Sequence, residues 1–277
     1  IRDSGGPEDR YVSRVFASPH NPAVAFVAKS GFRNDDFRPF LYRTADFGVT
    51  WEAIDAGLPD SPINVVVQDH GDADLLIVGN DLGVWVSVDG GGAWHRLRGN
   101  LPTVPVHDLT IHPRENDLVL GTYGRAVWAG DITALRQAGA LADSGGLHLF
   151  TPEPRALYAM RALGNYHLFG DRYLSTPNEP DAITIEYVLD ASVADGANIT
   201  IADSSGNEVA ALEGTADAGF NRVLWDMRPG AAPAADDWRS RMRRFRTPPL
   251  PPGDYMVSVA AGGQSATVSA TIRPRIR

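Results

Sequence analysis

Two eight-residue stretches constrain this chain more than anything else in it. Thr44-Ala45-Asp46-Phe47-Gly48-Val49-Thr50-Trp51 and Ser87-Val88-Asp89-Gly90-Gly91-Gly92-Ala93-Trp94 share the pattern (Ser/Thr)-x-Asp-x-Gly-x-x-Trp and begin 43 residues apart. Each reads as a tight turn between antiparallel strands. The hydroxyl and carboxylate can bond to the turn's own amides, the glycine accepts positive φ, and the tryptophan returns as a large apolar anchor. Thr44, Asp46, Gly48 and Trp51, with Ser87, Asp89, Gly91 and Trp94, are therefore expected to be structural residues.

The register extends beyond the motif. Gly57-Leu58-Pro59 recurs as Asn100-Leu101-Pro102, and Trp85 recurs as Trp128, again at intervals of 43. A period of 40 to 50 residues carried by short strands is the mark of propeller blades. Strands are predicted at 12–17, 24–28, 40–43 and 51–54, then 63–68, 75–78, 84–86 and 94–97, then 106–111, 118–120 and 126–128, with a short helix over 133–137. The third unit lacks the motif and has Ala129-Gly130-Asp131-Ile132-Thr133 in its place. About three blades cannot close a ring, since propellers have about 4–8. The remaining blades are expected upstream in a longer parent protein, or from another chain; Ile1 as first residue points the same way.

With 43% hydrophobic residues, 28 Gly and 20 Pro, the chain reads as globular and turn-rich. Its net charge of −9 argues against a nucleic-acid partner. Zero cysteines exclude disulfides and thiolate metal sites, and the seven histidines show no metal-ligand spacing. No metal and no cofactor are expected. No apolar run is long enough to span a membrane. The Gly-x-Ser-x-Gly, phosphate-loop and His-Glu-x-x-His signatures are all missing.

Residues 1–137 are assigned to the blades and 138–182 to an extended linker. Residues 183–277 then read as an immunoglobulin-like β-sandwich, with strands predicted at 183–189, 198–203, 208–213, 221–227, 254–260 and 265–272. The fold class is thus all-β, a partial propeller followed by a sandwich. Arg239, Arg241, Arg243, Arg244 and Arg246 form a basic run, read as a solvated loop.

Topology indicates where a ligand would sit. In a four-stranded antiparallel blade the octapeptide turn joins the third and fourth strands, so the opposite end is built from 29–39, 79–83 and 122–125. There Arg33, Asp35, Asp36 and Arg38, together with Tyr123 and Arg125, are the candidate ligand-face residues, able to hold a polar ligand or move protons.

The octapeptide resembles the Asp-box, or bacterial-neuraminidase repeat, of sialidases, xyloglucan-cleaving propeller glycosidases and sortilin-type receptors. Further stretches are similar to the last blades of large bacterial proteins labelled glycosyl-hydrolase-like or sortilin-like: Asn34-Asp35-Asp36-Phe37-Arg38-Pro39-Phe40-Leu41-Tyr42-Arg43-Thr44, Leu101-Pro102-Thr103-Val104-Pro105-Val106-His107-Asp108-Leu109, and Gly121-Thr122-Tyr123-Gly124-Arg125. In that group a sandwich follows, with motifs similar to Gly219-Phe220-Asn221-Arg222-Val223-Leu224-Trp225-Asp226-Met227-Arg228 and Pro252-Gly253-Asp254-Tyr255. The resemblance implies export to the periplasm or outside and a longer parent, and it fixes no activity. The expected role is glycan or protein binding and scaffolding. The alternative is part of a glycoside hydrolase, sialidase- or xyloglucanase-like, with its catalytic carboxylates mainly upstream. A glycosidase should show two carboxylates about 5–10 Å apart across a cleft, whereas a scaffold should show its acids engaged by arginines.

Overall fold

Residue alternation in the first half becomes a series of up-and-down sheets. In the computed structural model the described residues are 4, 6–97, 101–114, 116–139, 146–157, 181–230 and 247–275. The first sheet runs β1 (Tyr11–Ala17), β2 (Ala25–Gly31), β3 (Asp36–Thr44), β4 (Glu52–Ala53), each strand beside the next. The second repeats this order with β5 (Ile63–Gln68), β6 (Leu76–Asn80), β7 (Gly83–Ser87) and β8 (His95–Leu97). Among the described residues the third consists of β9 (Val106–Ile111), β10 (Asp117–Thr122) and β11 (Val127–Asp131), after which α1 (Thr133–Gln137) begins. All ladders in these sheets are antiparallel.

The first strands of successive sheets pack against one another, β1 on β5 and β5 on β9. Strand β5 is buried on both faces. Val66 joins Phe26, Leu41, Ile54, Leu76 and Trp94 between the first two sheets, while Val65 and Val67 join Leu75, Val106 and Leu120 between the second and third. Each such side chain contributes about 1.5–3 kcal/mol of burial, so the interfaces between sheets are the core.

The chain divides into two units, residues 1–139 and 140–277. In the second, β12 (Leu147–Leu149), β14 (Ile183–Leu189) and β17 (Gly219–Trp225) form one sheet. The other holds β13 (Arg155–Ala156), β15 (Ala197–Ala202), β16 (Glu208–Gly214), β18 (Gly253–Ala261) and β19 (Gln264–Arg273). One apolar cluster draws on both, with Trp225, Tyr187 and Val257 at 0% exposure. Its phenols are satisfied by carbonyls. Tyr255 donates to Pro251 O at 2.8 Å, and Tyr187 donates to Thr215 O.

Two strands correct the sequence reading. Leu147–Leu149 pairs with β14 and Arg155–Ala156 pairs, in parallel, with β19, so these parts of the expected linker belong to the sheets of the second unit. Strands of three and two residues carry too little alternation to be read from sequence. Most of 138–182 and the basic run at 239–246 lie outside the described residues.

Candidate ligand face

The two octapeptides fold identically, for the reason their composition suggests. Thr44 Oγ1 accepts from the Gly48 amide at 2.9 Å and donates to Asp46 Oδ1 at 2.8 Å, and the same Oδ1 accepts from the Thr50 amide at 2.8 Å. One period later Ser87 Oγ accepts from Gly91 at 2.8 Å and donates to Asp89 Oδ1 at 2.7 Å, which accepts from Ala93 at 2.9 Å. Bonds from Thr50 hold the Asp46 carboxyl down at about 2. The Ser87 hydroxyl and the Ala93 amide lower Asp89 in the same way. Both acids are consumed by their turns.

At the other end of the first sheet, the expected loop 29–39 is mostly strand. β2 continues to Gly31 and β3 starts at Asp36, leaving a single 3-10 turn, Phe32–Asn34, between them. The register slips between Lys29 and Gly31, and Pro39, which has no N–H to offer a ladder, sits where the pairing is interrupted. Asp36 and Arg38 therefore stand on β3.

Asp36 is held from two sides. Arg10 Nη2 lies 2.9 Å from its Oδ2, and Arg38 reaches Oδ1 with Nε at 2.9 Å and Oδ2 with Nη2 at 2.8 Å. The Arg38 and Arg10 hydrogen bonds hold its carboxyl far below the usual carboxylate range. Arg33 stands apart from this clamp, its guanidinium 5.4 Å from the centre of the exposed Tyr11 ring. Phe32 and Phe37 meet edge to face at 6.0 Å, also exposed. Asp35 takes a left-handed φ of 58° and closes the turn through its amide.

In the third sheet Tyr123 tilts over His107 at 5.6 Å, and its amide donates to Pro105 O at 2.9 Å. Arg125 points a donor at Gly124 O, 3.2 Å away, and its own carbonyl receives the Trp128 indole. The structure thus gathers Arg33, Asp35, Asp36 and Arg38 on one sheet end and Tyr123 and Arg125 on another. No hydrogen bond, ion pair or ring contact among the described residues joins the two groups.

Sequence reading missed the partners that decide the electrostatics. Arg10 reaches Asp36 only because β1 pairs with β2, and Arg14 reaches Asp108 across two sheets. At the octapeptide end, fully buried Asp69 takes two bonds at 2.8 Å from Arg136 on α1 and two from the Gly71 and Asp72 amides. Burial pushes its carboxyl up, but Arg136 and the Gly71 amide outweigh that, leaving it below the ordinary value. A pocket of about 280 Å³ opens nearby between the first two sheets, lined by His20, Phe26, Arg43, Gln68 and Gly90 among others. No group of three or more His, Asp or Glu side chains is placed to hold a metal among the described residues. No helix among them is long and apolar enough to cross a membrane.

No protein-family model matches the chain, and no curated protein does. Among solved structures it is similar to a GH74 xyloglucanase from Xanthomonas campestris, with 12% identity and a TM-score of 0.36 over 94% of this chain and 38% of that one. A GH74 enzyme from Niastella koreensis gives 11% identity and a TM-score of 0.37, over 98% of this chain and 39% of that one. The chain spans less than two fifths of either. At such scores the likeness assigns neither family nor activity.

Proposed function

We propose that this chain is part of an exported Asp-box propeller protein, three blades followed by an immunoglobulin-like sandwich, that binds and scaffolds and does not hydrolyse. Its ligand is a glycan or a protein taken at the end of the sheets that carries Arg33, Tyr11 and Tyr123. The observation that supports this reading is the Asp36 clamp. An acid bonded by two guanidinium groups stays ionised through the neutral range and makes a poor proton donor, since a general acid needs its pKa raised toward the working pH. The further blades the three sheets call for are partners of the same reading.

The test is a panel of polysaccharides and peptides offered to the chain, read for both retention and cleavage. Retention without new reducing ends, weakened at least tenfold by Arg33→Ala or Tyr123→Ala, is the expected result. Release of reducing ends that disappears in Asp36→Asn or Asp35→Asn would overturn it in favour of a glycosidase.

A further inference from the structure

The pocket at the octapeptide end opens between the first two sheets, and four turns build its walls. Ser18 and His20 come from the β1–β2 connection, Ala73 from the β5–β6 connection, and Ala45 and Gly90 from the two octapeptides. Two bonds fasten one sheet to the other across it. His20 Nε2 meets Asp69 O at 2.7 Å, so that nitrogen carries the hydrogen, and Arg43 Nη1 donates to Gly90 O at 3.1 Å. Gly90 holds the place that Phe47 has one period earlier, and a Cβ there would already meet Arg43 Nη1 at 3.4 Å. The second octapeptide thus keeps this space clear.

Gln68, at the end of β5, lines the same pocket and is only 7% exposed. Its Nε2 donates to Ala73 O at 2.6 Å, which fixes the orientation of the amide, and its buried Oε1 has no hydrogen-bond partner among the described residues. A buried acceptor without a donor is costly, so it marks a place where something else binds. The space, about 280 Å³, is far larger than the share of one water, about 30 Å³. Its chemistry is neutral: no acid and no lysine lines it, and the Arg43 charge is taken up by Glu52. Ser18 Oγ already accepts from the His20 and Asn21 amides, at 3.1 and 3.3 Å, so what it has left to offer is its hydrogen. A free acceptor and a free donor beside the apolar surfaces of Val24 and Phe26 suit a hydroxyl-bearing ring, whose O–H groups both donate and accept.

We propose that this pocket binds one neutral sugar ring, as a free monosaccharide or as the end unit of a glycan, with a hydroxyl donating to Gln68 Oε1 and ring C–H groups against Val24 and Phe26. It is a second site, at the opposite end of the sheets from Arg33 and Tyr123, and it stands on Gln68 and the walls around it. Its failure therefore leaves the reading above untouched.

The probes are glucose, galactose, mannose and xylose with an oligosaccharide of each, titrated into the intact 277-residue chain while the Gln68 side-chain amide and the backbone amides of 18–24 and 68–73 are followed by nuclear magnetic resonance. Expected is saturable binding that shifts these signals. Gln68→Leu should weaken it at least tenfold, and so should Ala73→Leu, which fills the pocket from an exposed position that the fold tolerates. Arg33→Ala should leave it unchanged. Tighter binding of an oligosaccharide, with shifts at the same amides, identifies the end unit of a glycan as the ligand, and tighter binding of the free sugar identifies the monosaccharide. Absence of saturable binding by every probe, or binding insensitive to both pocket substitutions, would overturn the proposal. So would shifts confined to 32–38 and 123–125, which would put the sugar at the other end of the sheets.

Discussion

Trp94 donates its indole N–H to the main-chain oxygen of Ile54, 2.8 Å away, and thereby fastens the second octapeptide to the end of the preceding sheet. Trp51 holds the same place in the first octapeptide but turns its N–H back to Gly48 O at 3.2 Å, and it joins none of the buried clusters. One motif thus serves in two environments, and the difference is measurable.

Trp94→Ala should cost about 3–5 kcal/mol, the usual loss for a buried tryptophan, whereas Trp51→Ala should cost under about 1.5 kcal/mol. Trp94→Phe keeps the ring and loses the bond to Ile54, for about 1 kcal/mol. Urea denaturation followed by circular dichroism checks all three. Equal losses at Trp51 and Trp94 would refute the distinction.

The glycines of the two turns separate steric from conformational cost. Gly48 and Gly91 have φ of 86° and 101°, so alanine is strained at either, by about 1 kcal/mol or more. A Cβ at Gly91 would also meet the Ile54 side chain at 3.0 Å, while at Gly48 it meets only the Trp51 ring, at 3.6 Å. Gly91→Ala should therefore lower the thermal midpoint further than Gly48→Ala.

Much of this was legible in the residues themselves. Strands over 63–68, 106–111 and 183–189 and the helix over 133–137 stand where alternation and composition put them. The β2–β3 connection was not legible, because a proline and four charges between Gly31 and Phe40 read as loop, while the actual pairing is set by the neighbouring strand. The Asp36 clamp could not be read either. Arg10 lies 26 residues away, and only the finished sheet brings the two groups together.

Asp69 ties the loop after β5 to α1. Removing its partner in Arg136→Ala leaves a buried carboxylate with the Gly71 and Asp72 amides and the His70 ring 3.8 Å away, for a loss of roughly 3 kcal/mol, the low end for breaking a buried pair. Asp69→Asn with Arg136→Ala should cost less than the sum of the two single changes. A double-mutant cycle by chemical denaturation measures that coupling, and strict additivity would deny the ion pair any role.

Acid should weaken the first unit in a defined window. Asp36, Asp46, Asp69 and Asp89 are all depressed in the folded state. Their contribution is full above the unfolded value of about 4 and is lost as pH falls through the folded values. Asp46, at about 2, should still contribute at pH 3. Thermal midpoints should fall between pH 4 and pH 2, and Asp46→Asn should flatten part of that slope. A midpoint that is constant from pH 5 to pH 2 would contradict this.

The most direct measurement is a carbon-13 titration of the Asp36 carboxyl in the intact chain. If Arg10 and Arg38 hold it as described, the signal remains that of an ionised carboxylate at pH 3, below the ordinary aspartate value. A titration midpoint at or above the value of an unperturbed aspartate, about 4, would mean that the two arginines do not hold this acid, and the binding role argued from its clamp would fall.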